Sequence, residues 1–256
     1  MPTLREWTAA QTAEVDLVQR QSTYLRNPLP PGAGICTVCR SSASEGFQLC
    51  YQCDQHRMEA RGQLADVVAP ISYAIKHTQH AHNLAVYKAA PPSVQAKRSL
   101  SSLAIIFIAY HWECLTAALG GPFTHMVTVP STRARAGVHP LNSIVASRLW
   151  LPALNPQANP RYPAEDRRFH TDRFILPPGG AAGARVMLID DTWTTGSRTQ
   201  SLAFALKAAG ATAVAAILLG RHVNPDYGPS KALVDRLRTG PDFDYRRCAF
   251  EAAPVW

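Results

Sequence analysis

No apolar run in the sequence approaches the roughly 20 residues that a membrane-spanning helix needs. The longest, Leu103 to Tyr110 ("LAIIFIAY"), is under half of that, which argues against a membrane role. The N-terminal stretch "MPTLREWTAAQTAEVDLVQRQ" has no continuous apolar core and carries acids, so neither a secretory signal nor a transit peptide is read there, and the cytoplasm is the expected address. Glycine (15) and proline (20) are not in excess and no repeat period recurs, which excludes collagen-like and solenoid architectures. Acids are also short, 18 against 26 basic residues, for a net charge of +8. Arginine far outnumbers lysine, as suits phosphate recognition, although an arginine-rich codon usage gives the same excess.

What is present supports a sizeable core: 46% of the 256 residues are hydrophobic, enough for one large domain with an accessory module. Thr3 to about Leu25 reads as a helix ended by "NPLPPGAG", and about Leu100 to Leu119 as an apolar helix stopped at Gly120 and Gly121. Beyond it strand and helix patterns alternate: "HMVTVP", then "LNSIVASRLW", then "ARVMLID", then "RTQSLAFALKAAG", then "ATAVAAILLG". That alternation predicts an α/β fold with a doubly wound parallel sheet. The boundaries expected are an N-terminal helix at 1–30, a cysteine module at 31–62, an α/β domain at 63–222 and a C-terminal tail at 223–256.

Four of the six cysteines cluster as "CTVCRSSASEGFQLCYQC", two C-x-x-C turns ten residues apart. Each turn aims two thiolates at one centre, so Cys36, Cys39, Cys50 and Cys53 form a closed tetrahedral shell of the kind structural Zn²⁺ prefers; an iron site or redox pairs use the same spacing. His56 reads as a surface residue with the option of replacing one cysteine. His77, His80 and His82 share no clean helix face and read as surface or hood residues, and Cys114 as core.

The stretch "VMLIDDTWTTGSR", Val186 to Arg198, drives an apolar strand into two adjacent acids and a Thr-Thr-Gly turn. Ligands of parallel sheets bind beyond the carboxyl ends of the strands. A glycine turn feeding a helix offers unpaired N–H groups and a positive dipole end to a phosphate, while carboxylates suit sugar hydroxyls or Mg²⁺. The combination describes a ribose 5-phosphate. One strand earlier, "VTVPSTRARAG" holds Ser131, Thr132, Arg133 and Arg135, donors for a polyanion in one reading and a basic solvated loop in the other. The long connection "LPALNPQANPRYPAEDRRFHTDRFILPPGG" carries Arg161, Arg167, Arg168, His170 and Arg173, and is either a lid or an uninvolved surface loop.

The thirteen-residue stretch resembles the phosphoribosyl pyrophosphate (PRPP) signature of type I phosphoribosyltransferases. The order of four-cysteine knuckle, "YAIKH" and "NLAVYK", "VPSTRARAG" and the Asp-Asp-x-x-Thr-Thr-Gly run resembles the ComF/GntX group over about residues 35 to 222. The resemblance implies that Asp190 and Asp191 hold the ribose hydroxyls and that Thr194, Thr195, Gly196, Ser197 and Thr199 cradle the 5′-phosphate. It further implies that the loop at 131–135 holds pyrophosphate and that a flexible loop with Arg167 and Arg168 closes over the ligand. Zinc, PRPP with Mg²⁺, homodimers in related enzymes and, for some members, a part in DNA uptake are implied as well. Departures are "GVHPLNS" in place of an Arg-Gly-Phe-Asn-Gln-like run and Arg198 in place of Thr or Ser. Two functions follow as expectations: phosphoribosyl transfer with release of pyrophosphate to an unnamed acceptor, with residues Tyr73 to Lys88 as its acceptor-binding hood, or handling of single-stranded nucleic acid or PRPP sensing without catalysis. Trp193 is expected to serve packing.

Overall fold

A computed structural model describes residues 8–130 and 139–247 of the chain. The calls on Ser131, Thr132, Arg133 and Arg135 lie outside the described residues, as does Cys248. The N-terminal helix α1 (Ala9–Arg20) opens on a capping box at Thr8 and Gln11 and buries Val15 and Val18. The knuckle follows, leading into α2 (Tyr51–Ala60), then β1 (Val67–Pro70), β2 (Tyr73–Ile75) and α3 (Gln79–Val86).

The apolar helix starts earlier than its hydrophobic pattern suggests. Ser93 caps it by accepting the N–H of Ala96, so α4 runs Val94–Tyr110 and a separate α5 covers Trp112–Ala118. The chain bends by 64° between them, at His111, whose Nε2 bonds the carbonyl oxygen of Tyr245 at 2.8 Å. Then come β3 (His125–Thr128), a short α6 (Pro140–Ile144) in place of the ten-residue helix expected, a two-stranded ladder of β4 (Gln157–Ala158) with β5 (Phe174–Ile175), β6 (Arg185–Trp193), α7 (Ser197–Ala208), β7 (Ala213–Val223) and α8 (Lys231–Thr239).

Among the described residues five strands form one parallel sheet, in the order β1, β7, β6, β3, with β2 continuing the β1 edge along β7. Because side chains alternate along a strand, β6 and β7 feed two different cores. Met187, Ile189, Ala215, Ile217 and Leu219 pack with α1, α3 and α4. Val186, Leu188, Val214, Ala216 and Leu218 pack with Leu202 and Leu206 of α7, and the same core contains Cys36, Cys39 and Cys53. The knuckle therefore shares the apolar core of the α7 face. Leu233, Val234 and Leu237 of α8 make a third, smaller cluster with Ile35, Tyr73, Ile75 and Val223. Among the described residues no single helix is long and apolar enough to cross a membrane.

Candidate functional site

The two acids do not sit at the end of their strand. β6 pairs with β7 as far as Trp193 opposite Arg221, but its pairing with β3 stops at Ile189 opposite Thr128. Asp190 and Asp191 thus lie on a strand held from one side and open on the other, at the crevice where β3 has run out. Period-2 alternation sends their side chains to opposite faces of the sheet, so the two like charges do not have to meet head on.

Asp190 faces α7. Its Oδ2 accepts from the Thr199 hydroxyl at 2.7 Å and its Oδ1 from the Asp191 N–H at 2.9 Å. Burial, then the nearby Asp191 charge, push the Asp190 carboxyl up to about 7. Asp191 faces α3 and α4. One oxygen, Oδ2, accepts from the Tyr87 hydroxyl at 2.5 Å and from the Lys88 ammonium at 2.6 Å. Burial alone would raise this carboxyl, but the Lys88 charge and the hydrogen bonds from Lys88 and Tyr87 outweigh it and hold Asp191 below the usual carboxylate range. At neutral pH Asp191 is ionised, while Asp190 lies close to its titration point.

The turn that follows is built on Gly196, at φ +84°. A Cβ there would lie 2.1 Å from the buried ring of Trp193, so both the backbone and the packing require glycine. The expectation for Trp193 is met. Gly196 caps α7 without a side-chain acceptor of its own, and the Ser197 N–H reaches only the Thr195 hydroxyl, at 3.4 Å. A cavity of about 350 Å³ opens there, within the usual range for small-molecule sites. Its wall combines Asp190, Asp191, Thr194, Thr195, Gly196, Ser197, Arg198 and Thr199 with Lys88, His139, Arg167 and His222.

Several side chains are used differently from the expectation. The Thr199 hydroxyl is spent on Asp190. The Ser197 and Thr195 hydroxyls both donate to the carbonyl oxygen of Arg167, the latter at 3.3 Å. Arg198 lines the cavity and donates to the carbonyl oxygen of Ala164. The long connection is tied down: β4 and β5 clamp its ends, Phe169 packs edge-on to Phe204 at 6.0 Å, and the His170 N–H bonds Ser201 at 3.0 Å. Asp166 is its hub, receiving the Arg168 N–H at 2.8 Å and His170 Nε2 at 2.8 Å and pairing with Arg173. These partners, the Arg168 N–H foremost, hold Asp166 at about 2. Arg173 is fully buried and Arg161 pairs with Asp172, so of the five basic residues expected in a lid Arg167 alone is on the cavity wall.

The four cysteines meet as the spacing predicts. Their sulfurs lie within 4.8 Å of one another, with Cys39 Sγ and Cys50 Sγ 3.6 Å apart, close to the ~3.8 Å edge of a tetrahedron with 2.3 Å Zn–S bonds. This donor set could hold a zinc ion. Two histidines are corrected. His56 is neither surface nor ligand: it is buried, held neutral by that burial at about 4, with Nε2 3.4 Å from the Ser197 hydroxyl. His80, in the first turn of α3, is buried, its Nε2 3.0 Å from the carbonyl oxygen of Leu219. Cys114 is half-buried against the core, its thiol donating to the carbonyl oxygen of His111.

The segment of Tyr87 and Lys88 is legible in the sequence but their contact with Asp191 is not, nor are the places of His139, Arg221 and His222. His139 sits in "GVHPLNS", the run that departs from the resembled pattern, and its Nδ1 accepts the Leu141 N–H at 3.2 Å to start α6. That departure was the available signal. The chain matches no known protein-family model, and no curated protein is similar enough to it to count as a relative.

Proposed function

We propose that the crevice at the end of β6 binds a phosphorylated ribose, PRPP foremost, and that the protein is a phosphoribosyltransferase-like enzyme. One observation carries the reading: two adjacent carboxylates with different partners, Asp191 buried and Asp190 half-buried, stand beside the glycine-led N-terminus of a twelve-residue helix, in one cavity. The resemblance of Val186 to Arg198 to the PRPP signature, and of the knuckle-then-sheet order to the ComF/GntX group, supports the same assignment.

In this reading Asp190 and Asp191 accept hydrogen bonds from the ribose hydroxyls, and the N–H groups at the head of α7 hold the 5′-phosphate. An anion seated at the turn displaces the Arg167 carbonyl from the Ser197 and Thr195 hydroxyls, so the segment around Arg167 moves as the ligand enters, and the Arg167 guanidinium is then placed to follow it. Lys88, His139 and His222 line the cavity beside the acids and suit a second, anionic part of the ligand such as a diphosphate. Mg²⁺ fits these hard oxygen donors and would arrive with that diphosphate. The reaction proposed is displacement of pyrophosphate by a nitrogen nucleophile, with zinc in the cysteine cluster serving structure.

The test is a thermal-shift titration with PRPP and Mg²⁺. Wild type is expected to gain several degrees, and Asp190→Asn/Asp191→Asn to gain none. An equal gain in the double variant overturns the site. Salt-sensitive binding of single-stranded DNA that PRPP does not affect would favour nucleic-acid handling instead.

A further inference from the structure

The guanidinium of Arg221 is buried between the cysteine cluster and Trp193, the last residue of β6. Nε donates to the carbonyl oxygen of Cys39 at 3.1 Å, Nη2 approaches Cys39 Sγ at 3.7 Å, and Nη1 donates to the carbonyl oxygen of Trp193 at 3.0 Å and to that of His222. Trp193 in turn places its ring directly under Gly196, where even one added carbon would collide. A second, shorter link runs in parallel: Cys50 caps α2, Cys53 lies on it, and His56 one turn later reaches the Ser197 hydroxyl.

We propose that Arg221 is a positioning residue that couples the four-cysteine site to the turn at the head of α7, so that metal in the cluster sets the geometry of the anion-binding turn. Four thiolates around one Zn²⁺ carry a net charge of −2, and an adjacent buried guanidinium compensates part of it through N–H···S contact. Without metal the two C-x-x-C turns are no longer drawn to one centre, so the Cys39 carbonyl and sulfur that anchor the Arg221 fork lose their fixed position, and the fork's hold on the Trp193 carbonyl goes with them. The planar fork matters: a lysine ammonium supplies charge at one point and does not span Cys39 and Trp193 together. The anion-binding role of the turn rests on the function proposed above; the coupling itself does not.

The experiment compares the zinc-loaded full chain, the same chain after chelation, Arg221→Met and Arg221→Lys. The readouts are hydrogen exchange across 192–202 and zinc release to a colorimetric chelator. Chelation and Arg221→Met are each expected to speed exchange in 192–202 at least tenfold, with 67–70 and 186–189 unchanged, and Arg221→Met to lose zinc to about tenfold less chelator. Arg221→Lys keeps zinc within about twofold yet still speeds exchange in 192–202. Unchanged exchange there after chelation or in Arg221→Lys overturns the proposal, as does a uniform rise over all three segments in Arg221→Lys. Failure of wild type to bind PRPP, with the exchange coupling intact, would sink the proposed function and leave this inference standing.

Discussion

The two faces of the sheet treat the adjacent acids of β6 in opposite ways. On the α7 face Asp190 has a hydroxyl and an N–H for partners and, among the described residues, no ion pair, and its carboxyl is pushed up to about 7. On the α4 face Asp191 has an ammonium and a phenol on one oxygen and stays ionised. A strand that alternates its side chains turns a repeated residue into two chemically distinct groups, one that accepts or gives a proton near neutrality and one that keeps its charge.

The largest expected effect lies on the α7 face. Gly196→Ala forces a left-handed backbone and a clash with Trp193, and should cost about 3 kcal/mol of stability in denaturant unfolding. Asp190→Asn should act the other way. A carboxyl raised in the folded state binds its proton more tightly folded than unfolded, so stability falls as pH climbs from about 4 to about 7. Removing that titration should stabilise the protein by about 2 kcal/mol at pH 8 and leave it nearly unchanged at pH 4, as read from unfolding curves at the two pH values. No gain at pH 8 would mean that Asp190 is ionised like its neighbour and would erase the contrast. The smallest effect is on the α4 face: Tyr87→Phe removes one hydrogen bond to a charged oxygen, costs about 1.5 kcal/mol and raises the Asp191 carboxyl, which the ¹³C-carboxyl titration of Asp191 reads directly.

The alternation of strand and helix patterns from 125 to 220 made the parallel sheet legible, because buried strands and their covering helices must repeat their apolar spacing. The four cysteines were legible for a similar reason, since ligand spacing is a local property. The partners of the acids were not. Tyr87 and Lys88 reach Asp191 from more than a hundred residues away, and Arg221 looks in sequence like one basic residue at the end of an apolar strand. The inner strand end was misread because β6 loses one neighbour before the other, which pairing shows and hydropathy does not. His56 looked exposed because its helix carries little apolar patterning of its own; Phe169 and the head of α7 at Ser197 lie against it.

The central claim is that one ligand presents a diol to Asp190 and Asp191 and a phosphate to the head of α7. Calorimetric titration of ribose 5-phosphate against 2-deoxyribose 5-phosphate tests it most directly. The account predicts saturable one-to-one binding of the first and at least tenfold weaker binding of the second, because the lost hydroxyl removes a hydrogen bond to a charged carboxylate. Equal affinity for the two sugars, or no binding of either, would contradict it.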